Sequence, residues 1–504
     1  MVSTLSQMDT HGRNRASRIW TLTPILFLLL CGTGFADLKR YYDEIRYHGS
    51  SGTKRPEYLG VRLPTTTGLI PSCPSSILSG TGNSLLNTPL ILPRYELEVL
   101  QRGLSQRIRA LASFFEDIAI GNRRSLGASG FVPDVVIEQC LRKTTFRNLD
   151  NLRTLWKGRS SSSVSFVLGT DFVRSPDGNF LVLEDNINDS GSVLGGLGSI
   201  PVFIDEFNRL NNANFAVPPS DFEEIVNAFA RLNGIKSNHE LVFLRGRTSE
   251  FEILSLASNL ARNGIIEYVA DSLANALEFW LKNGQGYRGV INFFQPADLF
   301  LFNKGVPLLN APGIEPILTN KAILPYVDHM IRFFLHEEPI IQTVPSQNLF
   351  LAPLSKPPGY HFVPVDRKPP FDVTNPVWAG FAIKHPQGIS GDGVILTDFF
   401  TADELRSKFY GLVTSTKDHA DQMYVVQPYI EPSRIEDWSI VLRGIGASFG
   451  GGRTFAGRMP IGRALPPDRK GEERLKSRGT INVSKGAAVV VCPVPSDLGV
   501  YVHP

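Results

Sequence analysis

The 504-residue chain is 42% hydrophobic and 20% charged, which suits a soluble globular protein of roughly two to four domains with ample length for large cores. Its 51 basic and 48 acidic residues leave a formal charge of +3, with no dense Lys/Arg run, and this argues against a nucleic-acid partner. Cys31, Cys73, Cys140 and Cys492 lie far apart with no CxxC or Cys/His spacing, so neither a structural zinc site nor a disulfide framework is expected. At the start, Arg13, Arg15 and Arg18 precede an apolar run from Ile25 to Cys31 and then small residues up to Ala36. Residues 1–36 thus have the layout of an export signal, and equally of an unstructured leader; the run is too short to span a bilayer as an ordinary helix. No later run approaches membrane length, so no stable membrane span is expected.

Residues 37–95 are rich in Gly, Pro, Ser and Thr and read as a loop-rich entry segment. From Pro93, Leu97, Leu100, Leu104, Ile108, Leu111, Phe115 and Ile118 recur at spacings of three or four, which predicts a helix with one buried face. Residues 164–186 are β-like. Residues 241–245 read as a buried strand, followed by a helix from about Glu250 to Arg262, a stop at Gly264 and a second strand at Ile265–Val269. That is the β-α-β start of a Rossmann-like layer in an α/β (α+β) fold. A helix from Lys321 to His336 follows. The many prolines of 344–376 read as a loop or domain junction, and strand-like segments with two Gly-rich stretches begin at Trp378.

The stretch Val164–Asn186, VSFVLGTDFVRSPDGNFLVLEDN, carries the sharpest signal. Asp177-Gly178 between two β-rich runs predicts a two-residue hairpin, because both central positions need φ > 0. Pro176 then faces Asn179, Val173 faces Val182 and Asp171 faces Glu184. The period of two puts Asp171, Glu184 and Asn186 on one face. Opposed carboxylates repel, and a divalent cation between them removes that penalty; with the Asn amide they offer the hard oxygens Mg²⁺ prefers. The alternative is a solvated acidic hairpin. Further on, Lys384 ends an apolar strand, Phe381-Ala382-Ile383. After it comes GISGDG (388–393), where Gly388, Gly391 and Gly393 would let backbone N–H groups fold over phosphate oxygens; an ordinary turn is the alternative.

On these residues the sequence resembles the ATP-grasp superfamily, whose metal site is an Asp, a Glu thirteen residues later and an Asn two beyond: here Asp171, Glu184 and Asn186. In this chain the motif comes first rather than last. That order, with QRGLSQRIRALASFFEDI (101–118), GFVPD (130–134), NAPGIEPILTNKAILPYVDHMIRFFL (310–335) and INVSKGA (481–487), resembles the circularly permuted ATP-grasp family over roughly residues 37–490. The resemblance implies an N-terminal part (37–235) holding the permuted metal-binding end, a Rossmann-like pre-ATP-grasp region (236–320) and a nucleotide-binding region (321–504). It makes Lys321 and Lys384 the phosphate-holding lysines and MYVVQPYIEP (423–432), with Gln427, the adenine hinge. Arg458 would face the phosphates, and Asn482 would add a polar contact. Residues 481–493 would lie near 164–171.

The activity so implied is ATP- and Mg²⁺-dependent ligation of a small-molecule or peptide carboxylate to an amine through an acyl phosphate. Such an enzyme belongs where ATP is, in the cytoplasm, unless residues 1–36 export it. The chain departs from the family pattern at Asn188-Asp189, at Asp437-Trp438-Ser439, and in YRGVINFFQPADLF (287–300), which lacks paired arginines. These departures keep two other readings open: a phosphotransferase on the same site, and a non-catalytic ATP-binding sensor acting through a partner.

Overall fold

The computed structural model describes residues 69–70, 85–86 and most of 89–503; the longer stretches outside that description are 1–68, 71–84, 122–131, 188–203, 209–214, 236–240, 245–259, 283–288, 293–297, 354–359, 365–370, 373–379, 387–393, 408–422 and 466–487. The apolar spacing that begins at Leu97 becomes the helix Arg94–Ala119. All seven residues of that spacing are buried, from Leu97 to Ile118. They pack against the strand Trp438–Phe449, the longest of the described strands. Close approach there depends on the strand's glycines. A Cβ on Gly446 would lie 2.5 Å from Ile108 Cδ1 and 2.5 Å from the Phe455 carbonyl oxygen. Gly446→Ala is therefore expected to cost about 1–3 kcal/mol by overpacking, read as a lower urea midpoint. An unchanged midpoint would mean the helix can back away freely.

Trp438–Phe449 sits at the centre of an eleven-stranded sheet. On one side it pairs antiparallel with Ser165–Arg174, which pairs with Phe180–Ile187, which in turn meets Gln342–Thr343. On the other side come Ile461–Leu465 and then Ala488–Val490. The early hairpin is thus built into a sheet made mostly from the C-terminal third of the chain. Ala488–Val490 shares that sheet but stands two strands away from Ser165–Arg174, with Ile461–Leu465 and Trp438–Phe449 between them.

A second, six-stranded antiparallel sheet runs in the order Phe371–Asp372, Tyr360–Pro364, Gln347–Pro353, Met423–Pro428, Phe381–Lys384, Val394–Leu396. Three of these strands fall in the proline-rich 344–376 stretch, which the sequence reads as a loop or domain junction. The prolines bound the strands instead: Pro353 and Pro364 each close one, at positions where a missing N–H disturbs the ladder least. The fold is a mixed α/β one. A third sheet, wholly parallel, has the order Tyr268–Ala270, Leu241–Leu244, Gly289–Asn292, Leu308–Leu309. The expected strands at 241–245 and 265–269 are both there, the second starting three residues later. Most of the helix expected between them lies outside the described residues.

Asn310 joins this parallel sheet to the large one. It takes φ +74°, which Asn tolerates better than most residues, and its side-chain oxygen accepts from Val167 N while its own N–H and that of Ala311 donate to the Ser165 carbonyl. The helix expected from Lys321 to His336 forms in three pieces. A tight turn spans Lys321–Tyr326, an α-turn Val327–Met330 and a wide turn Ile331–Leu335, ending at His336 with φ +55°. Pro325, which has no N–H to give, lies in the first piece. No helix among the described residues is long and apolar enough to cross a membrane.

Candidate functional site

The hairpin closes one residue later than the Asp-Gly pair alone implies. Ser175 N donates to Asn179 O at 2.8 Å, Gly178 takes φ +91°, and Arg174 and Val173 pair with Phe180 and Leu181. Asp177 favours this three-residue loop: its carboxylate accepts from Ser175 Oγ and from the Asn179 side chain. Continued unbroken, that register would set Asp171 against Leu183. Instead the ladder shifts between Asp171 and Phe172, Leu183 is the extra residue, and Asp171 pairs with Glu184 as expected. Val173 pairs with Leu181 rather than Val182 and Asn179 meets Ser175, the expected partner Pro176 lying outside the described residues; the bulge restores the acidic pair. It also frees the Leu183 carbonyl, which accepts from Lys384 Nζ at 3.2 Å and, more weakly, from Gln427 Nε2 at 3.5 Å.

Direct pairing makes Arg443, Asp171 and Glu184 one row across three strands. Arg443 Nη2 donates to Asp171 Oδ2 at 2.8 Å, its Nε donates to Oδ1, and Arg463 Nη2 reaches Oδ2 at 2.7 Å. Glu184 Oε1 accepts from Asn186 Nδ2 at 3.3 Å, and Lys321 Nζ stands 3.6 Å from Oε2. The two lysine-bearing segments are tied to each other, since Lys321 N donates to Pro386 O at 2.9 Å, two residues past Lys384. Thus Asp171, Glu184, Asn186, Lys321, Lys384 and Gln427 come together. Arg443 and Arg463 join them although the sequence reading passed them over. Their signal was there: each is a lone charge inside an otherwise apolar strand, VLRGIG or IGRAL.

The cluster is buried apart from the partly exposed Glu184 side chain, and its charges hold each other. Burial pushes the Glu184 carboxyl up, and Asp171 adds to that. Lys321, Lys384 and Arg443 outweigh both and keep it below the ordinary carboxylate value. Burial pushes the Lys384 ammonium down to about 8; Lys321 acts in the same direction, against Glu184 and Asp171. Burial and then Arg443 lower Arg463. Among the described residues, Lys321, Lys384, Arg443 and Arg463 converge on Asp171 and Glu184. Alongside lies Gln427, 1% exposed, whose buried Oε1 has no hydrogen-bond donor among the described residues. That atom suits a ligand N–H.

For a divalent cation the fit is partial. Asp171 gives both oxygens to guanidinium groups, so a cation there would sit against two positive charges. Among the described residues no group of three or more His, Cys, Asp or Glu side chains could hold a metal ion. Glu184 and Asn186, side by side, remain suitable oxygen donors. Arg458 is engaged elsewhere: its Nε meets Asp221 Oδ1 at 3.1 Å and its Nη2 Glu224 Oε1 at 2.6 Å, on the helix Asp221–Leu232. Gly388, Gly391, Gly393 and Asn482 lie outside the described residues.

Residues 89–193, which include the long helix and the acidic hairpin, match the family model described as circularly permuted ATP-grasp type 2. Over this stretch the chain is similar to the circularly permuted ATP-grasp family. A protein named "Putative glutamate–cysteine ligase 2-3" from Frankia alni is 27% identical over 292 residues, 51% of this chain and 32% of that protein. "Putative glutamate–cysteine ligase 2-2" from Frankia casuarinae is 26% identical over 294 residues, again 51% of this chain and 32% of its own length. The chain thus spans about a third of the curated relatives it matches.

Proposed function

We propose that this protein binds ATP with its phosphates on the Lys321–Lys384–Arg443–Arg463 cluster and uses it to join a carboxylate to an amine. The convergence of four cationic side chains on one small site carries this reading. A polyphosphate is the ligand class whose charge and oxygen acceptors such a cluster complements. The ATP-grasp family match and the relatives' names support the ligase class. In the reaction, a substrate carboxylate oxygen attacks the γ-phosphorus and ADP leaves. The amine then attacks the carbonyl carbon of the acyl phosphate, and phosphate leaves with the bonding electrons. Lys321 and Lys384 offset charge on the transferring group, and the arginines held by Asp171 supply a fixed positive wall. Glu184 and Asn186 would hold a Mg²⁺ ion, which supplies charge neutralisation at the phosphates when bound. Gly388, Gly391 and Gly393 are proposed as further phosphate contacts, Asn482 as an added polar contact, and the parallel sheet as the Rossmann-like layer beside the site; Arg458, held by Asp221 and Glu224, is given no role on the phosphates.

Calorimetry tests the reading first. The parent is expected to bind ATP more tightly with Mg²⁺ present, and Glu184→Ala to lose that dependence. No ATP binding by the parent would end the nucleotide reading. Phosphate release that requires both an acid and an amine identifies the ligase, and glutamate with cysteine is the first pair to try. Binding without release would favour the nucleotide-sensing alternative.

A further inference from the structure

We propose that Arg107 is a positioning residue for this site, acting from the far side of the sheet; the inference rests on the nucleotide reading above. Thr170 and Asp185 pair directly, one residue away from Asp171 and Glu184, so they point to the opposite face. There Asp185 Oδ1 accepts from Thr170 Oγ1 at 2.8 Å. Arg107, from the long helix, donates through Nε to both Asp185 oxygens at 2.8 and 2.7 Å, and its Nη2 lies 2.7 Å from Oδ2. The two side chains are 2% and 4% exposed. Nη1 of Arg107 donates to Thr343 Oγ1 at 2.9 Å. Thr343 then donates to Asp328, through Oγ1 at 2.6 Å and through its backbone N at 3.1 Å.

The chain of contacts ends on the element that carries Lys321. Asp328 stands seven residues after Lys321 in the same helical run, so the network anchors that run at a second point. The first point is Thr319, whose Oγ1 donates to the Ile187 carbonyl and accepts from Ile187 N. Both anchors lead to the strand bearing Glu184 and Asn186. Arg107 therefore sets where Lys321 stands relative to Glu184 without touching either. Only a guanidinium can hold the Asp185 carboxylate and the Thr343 hydroxyl together in a fixed fork.

The test uses the full chain and ATP with Mg²⁺. Arg107→Met alone leaves Asp185 buried without its cation and is expected to lower the melting temperature. Arg107→Met with Asp185→Asn removes both charges, and its melting should lie close to the parent's. Even so, its ATP affinity should be about tenfold weaker. In a Lys321→Met background the same pair should change affinity by less than about twofold, because the residue it positions is gone. Thr343→Val, which cuts only the hydroxyl link, should weaken binding in the same direction and serves if the pair variant does not fold. Parent-like affinity in the folded variants would overturn the proposal, and so would a loss that persists undiminished without Lys321. If the parent itself binds no ATP, the nucleotide reading falls and takes this proposal with it.

Discussion

Asp171→Asn is expected to destabilise the protein by about 3–5 kcal/mol, because it leaves two buried guanidinium groups without their shared carboxylate. Asn keeps the shape and removes only the charge, so the loss measures the ion cluster rather than a cavity. Burial pushes the Asp171 carboxyl up, but Arg443 and Arg463, by charge and by hydrogen bonds, pull it further down, well below the usual carboxylate range. A carboxyl whose folded pKa is depressed contributes stability above its ordinary value of 3.8 and loses that contribution only as pH falls towards the lower folded value. The gap between parent and variant in urea midpoint should therefore be constant from about pH 5 to 8 and narrow only in stronger acid. Adding Arg463→Met to Asp171→Asn should recover part of the loss, since one unpaired charge is then removed. A variant as stable as the parent at pH 7 would show that the arginines do not depend on Asp171.

The acidic pair was legible in the sequence for reasons only half contained in the argument used. The alternation of VSFVLGTDFV and NFLVLEDN fixes two strands with an inward set, and Asp171 against Glu184 follows if the loop has two residues. The loop has three, which moves the register by one, and a bulge at Leu183 moves it back. A bulge leaves little trace in a hydrophobic pattern, because its cause is the demand of neighbouring groups: here Lys384 and Gln427 both use the displaced carbonyl. The long helix was readable from a single face of large apolar residues. The helix after Asn320 was readable in extent but not in its turns. The strands of 347–372 were hidden because a proline is counted as a breaker wherever it falls, although at a strand end it breaks nothing. Arg443 and Arg463 were passed over for a different reason. One charged residue in an apolar strand acquires meaning only when cross-strand pairing shows which carboxylate it faces, and that carboxylate lies almost three hundred residues away.

Lys384→Met should weaken binding of ATP, or of tripolyphosphate as a simpler polyanion, by about 1.5–3 kcal/mol, or roughly 10- to 100-fold in Kd. It should also erase a pH dependence that the parent shows. In the free protein the Lys384 ammonium is pushed down to about 8 from its ordinary 10.5 by burial first and by Lys321 second. A bound phosphate favours the charged form and raises that value, so binding takes up a proton wherever free Lys384 is neutral. Affinity is therefore full below pH 8 and falls above it, with log affinity dropping by about one per pH unit until the bound-state pKa is reached. The linkage of the same group to folding has the opposite sign. A lysine with a depressed folded pKa makes the unliganded fold more stable as pH rises from 8 towards 10.5, so weaker binding over that window cannot come from this lysine unfolding the protein. Titrations at pH 7, 8 and 9, on parent and variant, separate the cases. A parent whose affinity falls between pH 8 and 9 beside a variant that is weaker and flat places Lys384 on the phosphates. A variant that keeps the slope would assign the titrating group to another residue and leave Lys384 as a strut between the Leu183 bulge and the second sheet.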